Sequence, residues 1–323
     1  MKIIAIEEHF TTPLYNELNK PTPRRLASMA MRNERVGHDV EGELLNVSNS
    51  RIAAMNAAGV DLQVLSLTMP GCQGLDAETS IKVARDANDR MADAAKTHPG
   101  RFAALAALPT PDVAASVREL ERTVTSLGFK GTMINGHTNG EFLDDKKYWP
   151  IFEAAESLGV PVYLHPRDPI PAAKAYFTGY DELASAAWGF TADTVTHFLR
   201  LIFAGVFDRF PKLTMILGHL GEGLPFYLDR LEDHTCLATK KRGLKKTVAE
   251  VMYENIVVTT SGNFSPAAFQ CTRDVLGIDK IIFSIDWPYE SNKIGMEFLK
   301  RLSLSPSELA LVAHGNAERV LKL

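Results

Sequence analysis

Cysteine is scarce in this sequence of 323 residues: Cys72, Cys236 and Cys271 are scattered and odd in number. That excludes a disulfide framework and a Cys-x-x-Cys metal pair, fits a reducing compartment, and leaves packing as their expected role. An excess of one charge is also missing. The 35 Lys and Arg stand against 39 Asp and Glu, for a net charge of −4, which offers no footprint for nucleic acid or an anionic membrane surface. No apolar run is long enough to span a bilayer. The first residues enter an Ile-rich strand without a signal-peptide pattern, so a cytoplasmic protein is expected. Low-complexity segments and composition breaks are absent, so one domain over residues 1–323 is expected. With 46% hydrophobic residues the chain can bury a sizeable core.

What is present is an alternation. Apolar strands are expected at residues 2–10, 60–67, 102–108, 129–135, 162–165, 213–219, 256–260 and 281–286. Helical spacing fills the gaps at 51–58, 77–97, 112–127, 148–158, 182–204, 225–233, 247–253, 266–276, 293–302 and 306–323. Strand–helix alternation implies parallel pairing with right-handed crossovers, and continuous apolar strands imply burial on both faces. The pattern predicts a closed α/β barrel of the (β/α)8 TIM type, with an open doubly wound sheet as the other arrangement. Residues 11–50 are polar and include Pro13, Pro21 and Pro23. They read as an insertion of loop and short helical pieces lying over the end of strand one and covering part of the pocket.

In such a barrel the site lies at the C-terminal ends of the strands. The first strand ends Ile-Glu-Glu-His-Phe, and alternation puts Glu7 and His9 on one side with Glu8 on the other. Further strands end in Asn135, His165, His219 and Asp286. Barrel closure would gather these around one axis. Imidazoles and carboxylates together suit one divalent ion, zinc or manganese foremost, and meet its need for deprotonated ligands near neutral pH. Each residue also has an ordinary reading: a strand-end hydrogen bond for Glu7 and His9, a backbone contact for His165 and Asn135, an N-cap for Asp286. Within Gly-His-Leu-Gly-Glu-Gly, His219 reads as an acid/base rather than a ligand. Arg230 is read as near the site or paired with Glu222, and Trp188 as pocket wall. His38 and His98 are expected at the surface, and His137, His197, His234 and His314 in structural roles. Arg51 and Arg167 are expected to be solvated or ion-paired.

Five separated stretches carry a family resemblance: Glu-Glu-His-Phe at 7–10, Tyr-Leu-His-Pro-Arg at 163–167, Leu-Gly-His-Leu-Gly-Glu at 217–222, Thr-Thr-Ser-Gly-Asn-Phe at 259–264 and Phe-Ser-Ile-Asp-Trp-Pro at 283–288. In these the sequence resembles the amidohydrolase superfamily, specifically its decarboxylase branch acting on γ-resorcylate, 2,3-dihydroxybenzoate and 5-carboxyvanillate. Hydrolases of the superfamily usually begin with His-x-His; here Glu7 stands in for the first His. The resemblance implies a barrel in homodimers or homotetramers, with one divalent ion held by Glu7, His9, His165 and Asp286. It also implies a proton-handling and orienting set of His219, Glu222 and Arg230. The implied substrate is a small aromatic carboxylic acid, touched by Arg230, Asn135, Tyr289 and Trp188. The implied reaction is non-oxidative decarboxylation of an ortho-hydroxylated benzoate after protonation of the ring carbon. Asp286 would be the donor, its proton retained by low dielectric. A metal-dependent hydrolase of a lactone or a C–O or C–N bond is the other enzymatic reading, and a non-catalytic barrel the third. Tyr289 stands where γ-resorcylate enzymes look to have Phe, and Thr235 where a partner-subunit Asn is expected.

Overall fold

The computed structural model describes residues 1–20 and 23–323; Pro21 of the insertion lies outside them. Its parallel ladder begins with β1 (Ile4–Phe10), β2 (Leu62–Leu67), β3 (Phe102–Ala104) and β4 (Ala106–Ala107). It continues through β5 (Thr132–Asn135), β6 (Val162–His165), β7 (Met215–Leu217), β8 (Ile256–Thr259) and β9 (Ile281–Ile282). Hydrogen-bonded order is β1-β2-β3 and β4-β5-β6-β7-β8-β9. The expected single strand at 102–108 is real but changes partner midway. Leu105 N donates to Leu65 O at 2.9 Å, and Ala106 N donates to Gly131 O at 2.8 Å. On the other side Asp286 N donates to Glu7 O at 3.1 Å and His9 N to Trp287 O at 2.6 Å. These bonds bring the last strand beside the first, and the fold is the expected (β/α)8 barrel. The strand expected at 281–286 keeps ladder geometry only over Ile281–Ile282, because Phe283 N turns to Val312 O and the next two amides bond to the Thr260 and Glu8 side chains.

Alternation explains the continuous apolar strands. Ile4, Ile6, Val64, Leu105, Met133, Tyr163, Ile216, Val257 and Ile282 fill the barrel interior. Their neighbours, such as Ala5, Leu65, Ile134, Leu164 and Leu217, pack outward against the helices.

The helices mostly start and stop where the sequence says. In the insertion and the first crossovers they are α1 (Pro13–Leu18), α2 (Pro23–Val36), α3 (Val40–Leu45), α4 (Asn49–Ala58), α5 (Ala77–Thr97), α6 (Val113–Leu127) and α7 (Trp149–Leu158). Asp76 and Asp112 cap α5 and α6 by accepting from Thr79 N and Ala115 N. The helix expected at 182–204 starts late, as α8 (Gly189–Ala204), after two 3-10 turns. A Cβ at Gly189 would sit 2.7 Å from the Ala184 carbonyl carbon, so the chain folds back on itself there instead of continuing a helix.

After the short α9 (Val206–Arg209), α10 (Leu224–Lys241) runs eight residues beyond the expected end at 233. Then follow α11 (Val248–Asn255), α12 (Pro266–Leu276) and α13 (Asn292–Arg301). The segment expected as one helix at 306–323 is α14 (Pro306–Ala310) and α15 (Asn316–Leu321) around a π-turn at Leu311–Gly315. No helix among the described residues is long and apolar enough to cross a membrane.

The insertion is more helical than expected, with α2 spanning 14 residues. It is pinned to the loop after β9. Arg35 Nη1 donates to Glu290 Oε2 at 2.8 Å and Nη2 to Tyr289 O at 3.0 Å. His38 contacts Pro288 O at 2.8 Å through Nε2 and stacks on Trp287 with ring centroids 4.5 Å apart. The surface role expected for His38 is therefore corrected: an apolar indole face and a free carbonyl hold it down.

Candidate metal centre

The geometry of the site begins with a β-bulge. Interior alternation through Ile4 and Ile6 would put Glu8 inside, but the β1–β2 register shifts between Ala5 and Glu8. Ile6 N and Glu7 N both donate to Ser284 Oγ, at 3.1 and 2.7 Å. The extra residue reverses the phase, so Glu7 and His9 turn inward and Glu8 outward.

Four side-chain atoms then meet. One ligand atom from each of Glu7, His9, His165 and Asp286 lies within 4.8 Å of the others. His165 Nε2 is 3.1 Å from Glu7 Oε1, and His9 Nε2 is 3.1 Å from Asp286 Oδ1. These same atoms (Glu7 Oε1, His9 Nε2, His165 Nε2 and Asp286 Oδ1) are buried without a hydrogen-bond partner. Buried polar atoms rarely stay unpartnered, and a convergent group of two imidazoles and two carboxylates fits one divalent cation.

The far sides of Glu7, His9 and His165 are held. Glu7 Oε2 accepts from Tyr163 Oη, from Ser261 Oγ and, at 3.1 Å, from Thr259 Oγ1. The other nitrogens of His9 and His165 meet Ser66 Oγ at 3.1 Å and Pro166 O at 2.7 Å. Such outer contacts leave one defined atom of each ligand free to bind. Tyr163 shares a strand face with His165, and Thr259 and Ser261 fall in the 259–264 motif; spacing alone assigned them no part.

His219 stands beside the cluster, Nε2 3.6 Å from Glu7 Oε1 and 3.9 Å from Asp286 Oδ2. Its Nδ1 donates to Glu222 Oε1 at 2.6 Å, and Glu222 Oε2 accepts from Thr191 Oγ1 at 2.7 Å. The turn that aims His219 is strained. His219, Leu220 and Glu222 have φ of +53°, +59° and +55° without being glycine.

Burial lowers the His219 imidazole, but Glu222 and Glu7 outweigh it and raise it well above its ordinary value. Burial raises the Glu7 carboxyl, yet His219 and His165 bring it down to about 2. Asp286 is likewise raised by burial but held well below the carboxylate range by His219 and His9. Without a cation in the pocket, these opposed shifts favour a proton on His219 over one on Asp286.

Two cavities open from this point. One of about 1150 Å³ is lined by His219, Glu222, Asp286, Trp188, Arg230, Tyr227, His234, Arg32 and Arg35 among others. A smaller one of about 300 Å³ is lined by His165, His219, Asp286, Tyr289, Arg32 and Met69 among others. Tyr289 packs its ring edge against His9 at 5.6 Å and hydrogen-bonds Thr68 Oγ1 through its hydroxyl.

Arg32, which the sequence did not single out, lines both cavities with its guanidinium 4.8 Å above the Tyr289 ring. Asn135 lines neither; its Nδ2 is 3.4 Å from Leu67 O, and it packs where a Cβ on Gly71 would go. Arg51 is neither solvated nor near the cavity but fully buried, bonded to Gln63 and the His9 carbonyl. Arg167 donates to His137 O at 3.0 Å. His137 and His197 are buried, bonded to backbone, as expected of structural histidines.

Residues 35–323 match the family described as Amidohydrolase. The chain belongs to the amidohydrolase family. Among curated relatives of this amidohydrolase, the γ-resorcylate decarboxylase of Polaromonas sp. is 34% identical over 329 residues, covering 99% of this chain and 98% of that one. The crystal structure of a Polaromonas sp. dihydroxybenzoic acid decarboxylase with manganese and the inhibitor 2-nitroresorcinol has a TM-score of 0.89 at 34% identity, covering 100% and 97% of the chains. That of the 5-carboxyvanillate decarboxylase of Novosphingobium aromaticivorans, with manganese and 4-hydroxy-3-methoxy-5-nitrobenzoic acid, has a TM-score of 0.92 at 31% identity, covering 100% and 96%.

Proposed function

We propose that this amidohydrolase is a metal-dependent carboxy-lyase that removes CO2 without oxidation from an ortho-hydroxylated benzoic acid. The observation that carries the reading is the set of four unpartnered ligand atoms converging at a cavity floor, with the hydrogen-bonded His219–Glu222 pair alongside. Relatives named as hydroxybenzoate decarboxylases cover the whole chain.

Glu7, His9, His165 and Asp286 would hold the ion. Manganese or zinc in that place supplies Lewis-acid charge that neutralises and orients an acid's oxygens. The chain's residues handle the proton. Direct loss of CO2 would leave an aryl anion, so protonation of the carboxylate-bearing ring carbon comes first, helped by electron donation from the ortho hydroxyl. His219 holds that proton, Glu222 steadies the imidazolium, and Asp286 Oδ2, 3.9 Å from His219 Nε2, is placed to pass it to carbon. The C–C bonding pair then returns to the ring, CO2 leaves, and His219 is reprotonated from solvent. Trp188, Tyr289 and Arg230 line the walls against which the ring would be oriented. A cytoplasmic homodimer or homotetramer is part of the same proposal. Phe226, Tyr227 and Leu237 of α10 are exposed, and Tyr227 lines the larger cavity, as a subunit contact there would require.

A product-identified screen of salicylate, 2,3- and 2,6-dihydroxybenzoate for phenol release tests the reading. Turnover of at least one is expected; turnover of lactones alone would replace it with the hydrolase. His219→Asn is expected to lower kcat by about 10²-fold or more while bound metal changes little, measured on the same samples. Equal losses of rate and metal would make His219 a ligand.

A further inference from the structure

We propose that Glu8 is the positioning residue of the metal centre, fixing the backbone that presents Asp286; only the kinetic readout of this proposal rests on the decarboxylase reading. Glu8 takes no part in the proton path, yet it is fully buried. Turned outward by the bulge, its Oε1 accepts from Ile285 N and Ser284 Oγ, each at 3.0 Å. Its Oε2 accepts from Trp287 N and Gln63 Nε2, each at 3.2 Å.

The amides of Ile285 and Trp287 bracket Asp286, whose φ is +76°. A non-glycine residue persists in that region only when its surroundings over-determine it. One carboxylate gripping the amide on each side does so. Every partner of Glu8 donates, so both of its oxygens serve as acceptors; a carboxamide would set an NH2 against a donor.

The grip extends to the other ligands. Ser284 Oγ, while donating to Glu8, accepts the N–H of Glu7 at 2.7 Å. Gln63 Oε1 accepts from Arg51 Nε at 2.7 Å, and Arg51 Nη1 donates to His9 O at 2.8 Å. Arg51 is itself fully buried and supplies the opposing charge. Glu7, His9 and Asp286 thus hang from one buried network centred on Glu8.

The test compares wild type with Glu8→Gln for Mn²⁺ affinity, kcat and KM on 2,6-dihydroxybenzoate, thermal midpoint, and exchange of the Ile285 and Trp287 amides. The variant is expected to bind Mn²⁺ about 10- to 100-fold more weakly. Its kcat per metal-loaded molecule should fall about tenfold or more with KM little moved, and both amides should lose protection. A folded variant with affinity and kcat within about twofold of wild type overturns the proposal, even if its thermal midpoint falls, since Glu8 would then be structural only. Should Glu8→Gln fail to fold, exchange in the wild-type protein decides: strand-like protection of both amides supports the grip, and loop-like exchange overturns it. Absence of wild-type turnover with the Glu8 effects on Mn²⁺ affinity intact would remove the functional reading and leave Glu8 standing.

Discussion

Asp286→Asn is expected to abolish turnover, with kcat falling by about 10³-fold or more in steady-state assays of CO2 or phenol release. The change is nearly isosteric, so packing is not the cause. The carboxylate in this place has two tasks that an amide cannot share. Oδ1 is one of the four convergent atoms, and Oδ2 faces His219 Nε2 across 3.9 Å. An amide has no basic oxygen able to take that proton and deliver it to carbon, and its NH2 would oppose the imidazolium. The wild-type carboxyl is kept ionised, against the effect of burial, by His219 and His9. A variant that keeps more than about a tenth of the rate at equal metal content would remove Asp286 from the proton path.

Stripping the metal is expected to eliminate activity, with Mn²⁺ restoring it, and to lower stability together with rate. Without a cation, Glu7 and Asp286 share a pocket less than 4.8 Å across, balanced only by imidazoles of which His9 is pushed toward neutrality by burial. An ion present at 100 times its dissociation constant stabilises the folded chain by about 2.7 kcal/mol. The thermal midpoint should accordingly rise with added Mn²⁺ in wild type and scarcely at all in Asp286→Asn. A stripped protein that keeps full activity would end both enzymatic readings.

Much of the architecture could be read from residues because both of its periods are strong. Ala77 to Thr97 and Pro266 to Leu276 match their expected bounds, each fixed by a cap, a Pro or a stop residue. The four convergent ligands were legible as polar residues closing apolar strands. What could not be read depends on contacts between residues far apart in sequence. The bulge at Ile6–Glu7 is set by Ser284, 277 positions beyond Glu7. Pure alternation from Glu7 to His9 gave the right side for a different reason. α2 is arginine-rich and takes its place from partners far off in sequence: Met29 packs with Val40, Leu44 and Tyr289, Arg35 bonds to Glu290 and Arg32 lies over Tyr289. Asn135 ends a strand as the site residues do, yet it is turned to Leu67 and Gly71 by the loop after β2, which spacing cannot show.

The joint between the first and last strands has a mechanical consequence. The other neighbours are joined by backbone ladders, bulged between β1 and β2, or by a direct handover of one, but here two backbone bonds and the side chains of Ser284 and Glu8 do the stitching. Glu7 and His9 lie on one lip of this seam and Asp286 on the other. An ion held by both lips would therefore rivet the first strand to the last.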